Sequence, residues 1–178
     1  MTIIPGWLIS LLTFPGIMVH ELAHVAFCRL FGVKVLKVCL FRLGNPPGYV
    51  VHDAPRSTFV HILISVGPFL LNTVLGGLVA IPGTVPVTNG RLPSPAGWAL
   101  IWLGLSIAMH AFPSTGDAKS LWSALWSRGA SWLGRIVGVP IVLVIYLGAI
   151  GSVFWLDVIY GLAVVSFTPR LLVMMMSR

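Results

Sequence analysis

The chemistry of this chain starts at His20, Glu21 and His24, an H-E-x-x-H pattern inside an otherwise apolar run from Phe14 to Cys28. Residues four apart share a helix face, so His20 and His24 can offer two imidazole nitrogens to one metal ion. Glu21, beside the first histidine, is placed to act as general base on a water at that metal. It is the only glutamate among four acidic residues. A catalytic zinc keeps three protein ligands and one open position, so a third ligand must come from elsewhere. Asp117, His110, Asp53, His52 and His61 are the candidates.

The elements that must position these groups are membrane elements. Of 178 residues, 57% are hydrophobic and 8% charged, with a mean hydropathy of +0.99. A soluble domain carries about a quarter charged residues, so composition points to one integral membrane domain covering residues 1–178. The net charge of +7 comes from basic residues scattered between apolar segments, which suits anionic lipid rather than nucleic acid. Cys28 and Cys39 lack C-x-x-C spacing and read as free thiols. The N-terminal run lacks the basic region of a signal peptide and leads into the metal motif, so it reads as a retained helix.

Hydropathy predicts an all-α membrane bundle of about five transmembrane helices, over residues 3–31, 59–81, 96–112, 136–155 and 158–176, the first kinked at Pro15-Gly16. Residues 34–52 predict a β-hairpin: strand-forming residues on either side of the turn cluster Gly44-Asn45-Pro46-Pro47-Gly48. The prolines at 82, 86, 93 and 95 suggest a surface loop over 81–95. Residues 119–135, with Trp122, Trp126 and Trp132 among serines and basic residues, suit a helix lying in the interface or packed on the bundle.

With five spans, Arg29, Lys34, Lys37, Arg42, Arg56, Lys119, Arg128, Arg135, Arg170 and Arg178 fall on one side and Arg91 on the other. The positive-inside rule then puts the N-terminus outside and the hairpin in the cytoplasm. His20 and His24 lie towards the cytoplasmic end of the first span, and the third span delivers Asp117 to the same depth. Asp157 falls at the opposite end. An aspartate at a helix centre in a membrane costs about 2.5–3.5 kcal/mol, which favours a functional role for Asp117. It could equally cap the helix that follows Gly116. His110 could orient a ligand, bind substrate or bind the metal, while His52 and His61 read as interfacial.

Three segments together resemble the site-2 protease family of intramembrane zinc metalloproteases: Val19-His20-Glu21-Leu22-Ala23-His24, then Gly67-Pro68-Phe69-Leu70-Leu71-Asn72, then Phe112-Pro113-Ser114-Thr115-Gly116-Asp117. Their order and spacing fit over roughly residues 14–120. The resemblance implies Zn2+ held by His20, His24 and Asp117, Glu21 as base, and Asn72 near the active site as a substrate-binding or supporting residue. It also implies a membrane-protein substrate helix as partner; the expected setting is the lipid bilayer of a prokaryotic cell, and the charge topology puts the site towards the cytoplasm. The late motif departs from the family pattern, with Gly116 before the aspartate, Ala118 after it and a histidine near the usual asparagine. No PDZ-like domain is expected. Two other activities use the same motif: a membrane metallohydrolase acting on a lipid amide, and a non-catalytic membrane scaffold.

Overall fold

The computed structural model describes residues 5–176; residues 3 and 4 of the first expected span, and Arg178, lie outside them. The described residues form seven helices and one two-stranded sheet. Helix α1 (Gly6–Leu12) and α2 (Phe14–Leu30) meet at a bend of 81°. The expected kink is therefore a break, and it falls at Thr13. Pro15, in the first turn of α2, has no N–H to lose there and would crowd the Leu11 carbonyl in a continuous helix, which favours a new start at this point. The Thr13 hydroxyl caps the Ile9 carbonyl at 2.7 Å.

The hairpin is present, with β1 (Val35–Cys39) antiparallel to β2 (Tyr49–His52) and Val38 opposite Val50. It does not project beyond the end of α2 but lies back along it. Phe41 stacks on Phe14 at 5.8 Å and Gly48 lies against Glu21. Arg42 accordingly sits beside the start of α2, not at its end with Arg29.

Helix α3 (Thr58–Thr88) runs unbroken through Pro68, Pro82 and Pro86, so the segment expected as a loop over 81–95 is helical to Thr88 and only residues 89–94 connect it to α4 (Pro95–Met109). A proline inside a helix frees the carbonyl four residues earlier, and packing against neighbouring helices offsets the loss. Helix α4 packs antiparallel on α3 through small residues, Gly83 against Gly97 and Gly104 against Gly76.

At Pro113 the helical ladder stops, and after residues 110–114 the chain resumes as α5 (Thr115–Leu125). Helices α4 and α5 descend α3 in series: Gly104 lies beside Gly76, Asn72 bonds His110, and Ser120 bonds His61. Leu121 and Leu125 are fully buried with Ile62, Ala118, Val142 and Ile145. Trp122, Trp126 and Trp132 face outwards. The segment read as interfacial thus packs by its leucines and exposes its tryptophans.

Helices α6 (Trp132–Ser152) and α7 (Leu156–Met176) advance along α3 in a single sense. Gly134 lies beside Thr58, the Tyr160 hydroxyl bonds Thr73 at 2.7 Å, and Thr168 lies against Gly77. Helix α7 runs parallel to α3 and continues through Pro169; in the expected five-span alternation it would run antiparallel. Arg170 then belongs to the α3 C-terminal end, with Arg91. By length and composition α3 and α6 are apolar enough to cross a membrane, and the bent α1–α2 pair would make a third span if counted as one.

Candidate metal centre

His20 and His24 lie on one face of α2, and the break between α4 and α5 brings Asp117 opposite them. The Nε2 atom of His24 is 3.3 Å from Asp117 Oδ1, and that of His20 is 3.9 Å from Oδ2. The three donor atoms lie within 4.8 Å of one another and could hold a metal ion. Zinc bonds of ~2.1 Å at tetrahedral angles place neighbouring ligand atoms ~3.4 Å apart, so this two-nitrogen, one-oxygen set fits zinc with little adjustment. Both histidines are buried and Asp117 keeps a fifth of its side chain exposed.

Backbone carbonyls fix which nitrogen each histidine presents. His20 donates Nδ1–H to the His110 carbonyl at 2.7 Å, and His24 donates Nδ1–H to the Ile64 carbonyl at 3.0 Å. A carbonyl only accepts, so each ring holds a proton on Nδ1 and turns Nε2 towards Asp117. Both acceptors exist because a helix is interrupted nearby. Pro68 has no N–H to bond Ile64 four residues back, and α4 ends just before His110.

Asp117 serves as both cap and candidate ligand. As N3 of α5 it forms a capping box with Ser114: the Ser114 N–H and hydroxyl donate to Oδ2 at 2.7 and 2.6 Å, and the Asp117 N–H donates back to the hydroxyl at 3.2 Å. The two sequence alternatives for this residue are therefore compatible, because the cap takes Oδ2 and aims Oδ1 at His24.

Asn72 is fully buried and does not reach Glu21 or the three donors. Its amide nitrogen shares two hydrogens among the carbonyls of Gly16, Ile107 and His110, at 3.4, 3.2 and 3.0 Å. It thus holds α2 and the end of α4 together and fixes the carbonyl that orients His20. Its Oδ1 is buried with no partner. Gly16 has no room for a Cβ against the Ser106 carbonyl, and its N–H donates to the Ser106 hydroxyl at 2.9 Å.

Glu21 stands where two cavities meet. One, of about 310 Å³, runs from His20 and His110 past Phe112 to Ser152 and Asp157. The other, of about 590 Å³, lies between the hairpin and the first turns of α5, reaching His24, His52, Asp117 and Lys119. Residues 46–48 border both cavities, and a Cβ on Gly48 would lie 2.8 Å from Glu21 Oε1.

The other candidates stay outside the donor set. His110 bonds the Ser106 carbonyl through its ring and lines the smaller cavity. His61 bonds Ser120 at 3.0 Å, His52 stacks near it at 5.9 Å, and Asp53 is exposed. Asp157 departs from its expected place: because α6 and α7 advance in one sense, it lines the same cavity as Glu21. Sequence reasoning also missed Ser114 and the Ile64 carbonyl. The S-x-x-D spacing and the proline four residues after Ile64 were the available signals. No protein-family model, curated protein or solved structure matches this chain.

Proposed function

We propose that this chain is a zinc-dependent intramembrane endopeptidase of the kind the site-2 protease resemblance implies. The observation that carries the proposal is the pair of Nδ1–carbonyl bonds that turn His20 and His24 on Asp117. The convergence of two such oriented histidines on one carboxylate beside a lone glutamate supports a metal-ligand set. The membrane reading rests on composition and on the apolar lengths of α3 and α6. In it α3 and α6 each cross the bilayer, and the bent α1–α2 pair crosses as one broken span. The end at which α3 begins, with Arg29, Lys34, Arg56, Arg128 and Arg135, faces the cytoplasm of a prokaryotic cell.

His20, His24 and Asp117 would hold the zinc, which when bound would supply Lewis acidity to a hydrolysis. Glu21 takes the proton of the attacking water and passes it to the leaving amine. Its place between the cavities suits that shuttle: water reaches it through the larger, polar-lined cavity and the peptide lies in the smaller, apolar one. A substrate helix hides its peptide bonds in its own hydrogen bonds and must unwind first. The hairpin beside Glu21, whose two strands pair only with each other among the described residues, offers an edge for the unwound segment.

The test is purification in detergent, metal analysis, and incubation with single-span model substrates. Stoichiometric zinc, cleavage in or near the span, and loss of both in His20→Ala are expected. Absence of zinc from carefully prepared protein would overturn the proposal. Hydrolysis of a lipid amide with no turnover of any helix would replace the peptidase reading.

A further inference from the structure

A third cavity, of about 300 Å³, lies away from the metal centre, between the start of α3 and the turn joining α5 to α6. Arg56, Ser57, Thr58, His61, Ser127 and Arg128 line it, and no acidic residue does. Neither arginine has an ion-pair partner among the described residues, where the only ionic contacts are those of the two histidines with Asp117. Two guanidiniums held at one cavity without a carboxylate repel each other, and hydroxyls and a histidine give it further donors. Helix α6 starts beside the cavity, with Gly134 against Thr58, and its exposed side chains there are apolar: Trp132 is 71% exposed, Ile136 59% and Leu133 49%. Arg135 stacks on Trp126 at 5.1 Å.

We infer that this cavity binds the phosphodiester head group of an anionic phospholipid. The two arginines take the phosphate oxygens, Ser57, Thr58 and Ser127 can hydrogen-bond the remaining head-group oxygens, and the acyl chains lie along the exposed apolar face of α6. A free phosphate would use the same donors but leave the exposed Trp132, Leu133 and Ile136 at the start of α6 uncovered, which favours the lipid. Occupancy would tie the start of α3 to the elbow after α5. Since α5 also carries Asp117, and His61 on the cavity wall bonds Ser120, the bound lipid braces the helix that completes the metal centre.

The inference rests on the membrane reading but not on the protease reading; alkaline carbonate extraction of membranes tests the first independently. The full chain is reconstituted in nanodiscs of mixed phosphatidylglycerol and phosphatidylcholine, and retained lipid is counted by native mass spectrometry. Wild type should retain phosphatidylglycerol preferentially, and Arg56→Gln with Arg128→Gln should lower that preference by about five-fold for each arginine removed. Arg56→Lys with Arg128→Lys should keep most of it. Arg29→Gln with Lys34→Gln removes the same charge from the same end outside the cavity and should leave it unchanged. An equal fall in that control pair would overturn the site in favour of diffuse charge attraction. So would a wild type with no preference, or displacement of the lipid by excess inorganic phosphate, which would make free phosphate the occupant.

Discussion

Pro68 gives His24 its hydrogen-bond acceptor. The Ile64 carbonyl accepts from His24 Nδ1 at 3.0 Å because the residue four positions on has no N–H to give it. The Gly67-Pro68 pair also brings α2 close, since a Cβ on Gly67 would meet the Phe27 ring. One proline in α3 therefore sets the tautomer of a histidine on α2. Replacing it with alanine restores a competing donor. We expect Pro68→Ala to weaken zinc binding by about ten-fold, the usual effect of losing a hydrogen bond to a ligating histidine, with helical content unchanged by circular dichroism. Zinc affinity equal to wild type, measured by chelator competition, would remove this role.

Glu21→Gln should keep zinc and lose hydrolysis by about two to four orders of magnitude, the range for a general base. The comparison needs equal protein and equal bound zinc. Undiminished cleavage would sink the proposed chemistry.

Ser114 should matter through Asp117. Ser114→Ala removes a capping interaction of about 1 kcal/mol and frees the carboxylate that the serine steers. Lower thermal stability together with faster zinc loss is expected, and Ser114→Thr should restore both. A variant that loses stability but holds zinc as tightly as wild type would show that the cap does not position the ligand.

Gly48 touches the base without touching the donor set. A side chain there would press on Glu21 Cγ and Oε1 at 2.8 Å. Gly48→Val should lower turnover while zinc content stays stoichiometric; unchanged turnover would mean that the hairpin tip yields freely.

The metal motif was legible because its spacing is local: four residues on one helix need no knowledge of the fold. Asp117 could be reached from Pro113 and the S-x-x-D pattern, although its two roles looked like rivals until one carboxylate was seen to fill both. The path of the chain was less legible, and proline is the reason. Pro82 and Pro86 read as a loop but sit inside α3, where neighbouring helices offset the missing donors. Pro15 read as a kink but ends a helix. Charge alternation assumes that each helix returns, so it could not foresee α6 and α7 advancing together past a turn where Trp155 takes a φ of 64°. That error moved Asp157 to the wrong end. The hairpin was read correctly as a hairpin, but nothing in its residues told that it folds back along α2.

The interruption between α4 and α5 also makes the centre depend on main chain. Residues 110–114 leave the helical ladder halfway down α3, and their peptide groups find partners on other elements: the His110 carbonyl takes His20 and Asn72, and the Ser114 N–H takes Asp117. Such groups need partners once buried. A centre fastened through main-chain groups in this way is set more by the path of the chain than by the side chains of residues 110–113.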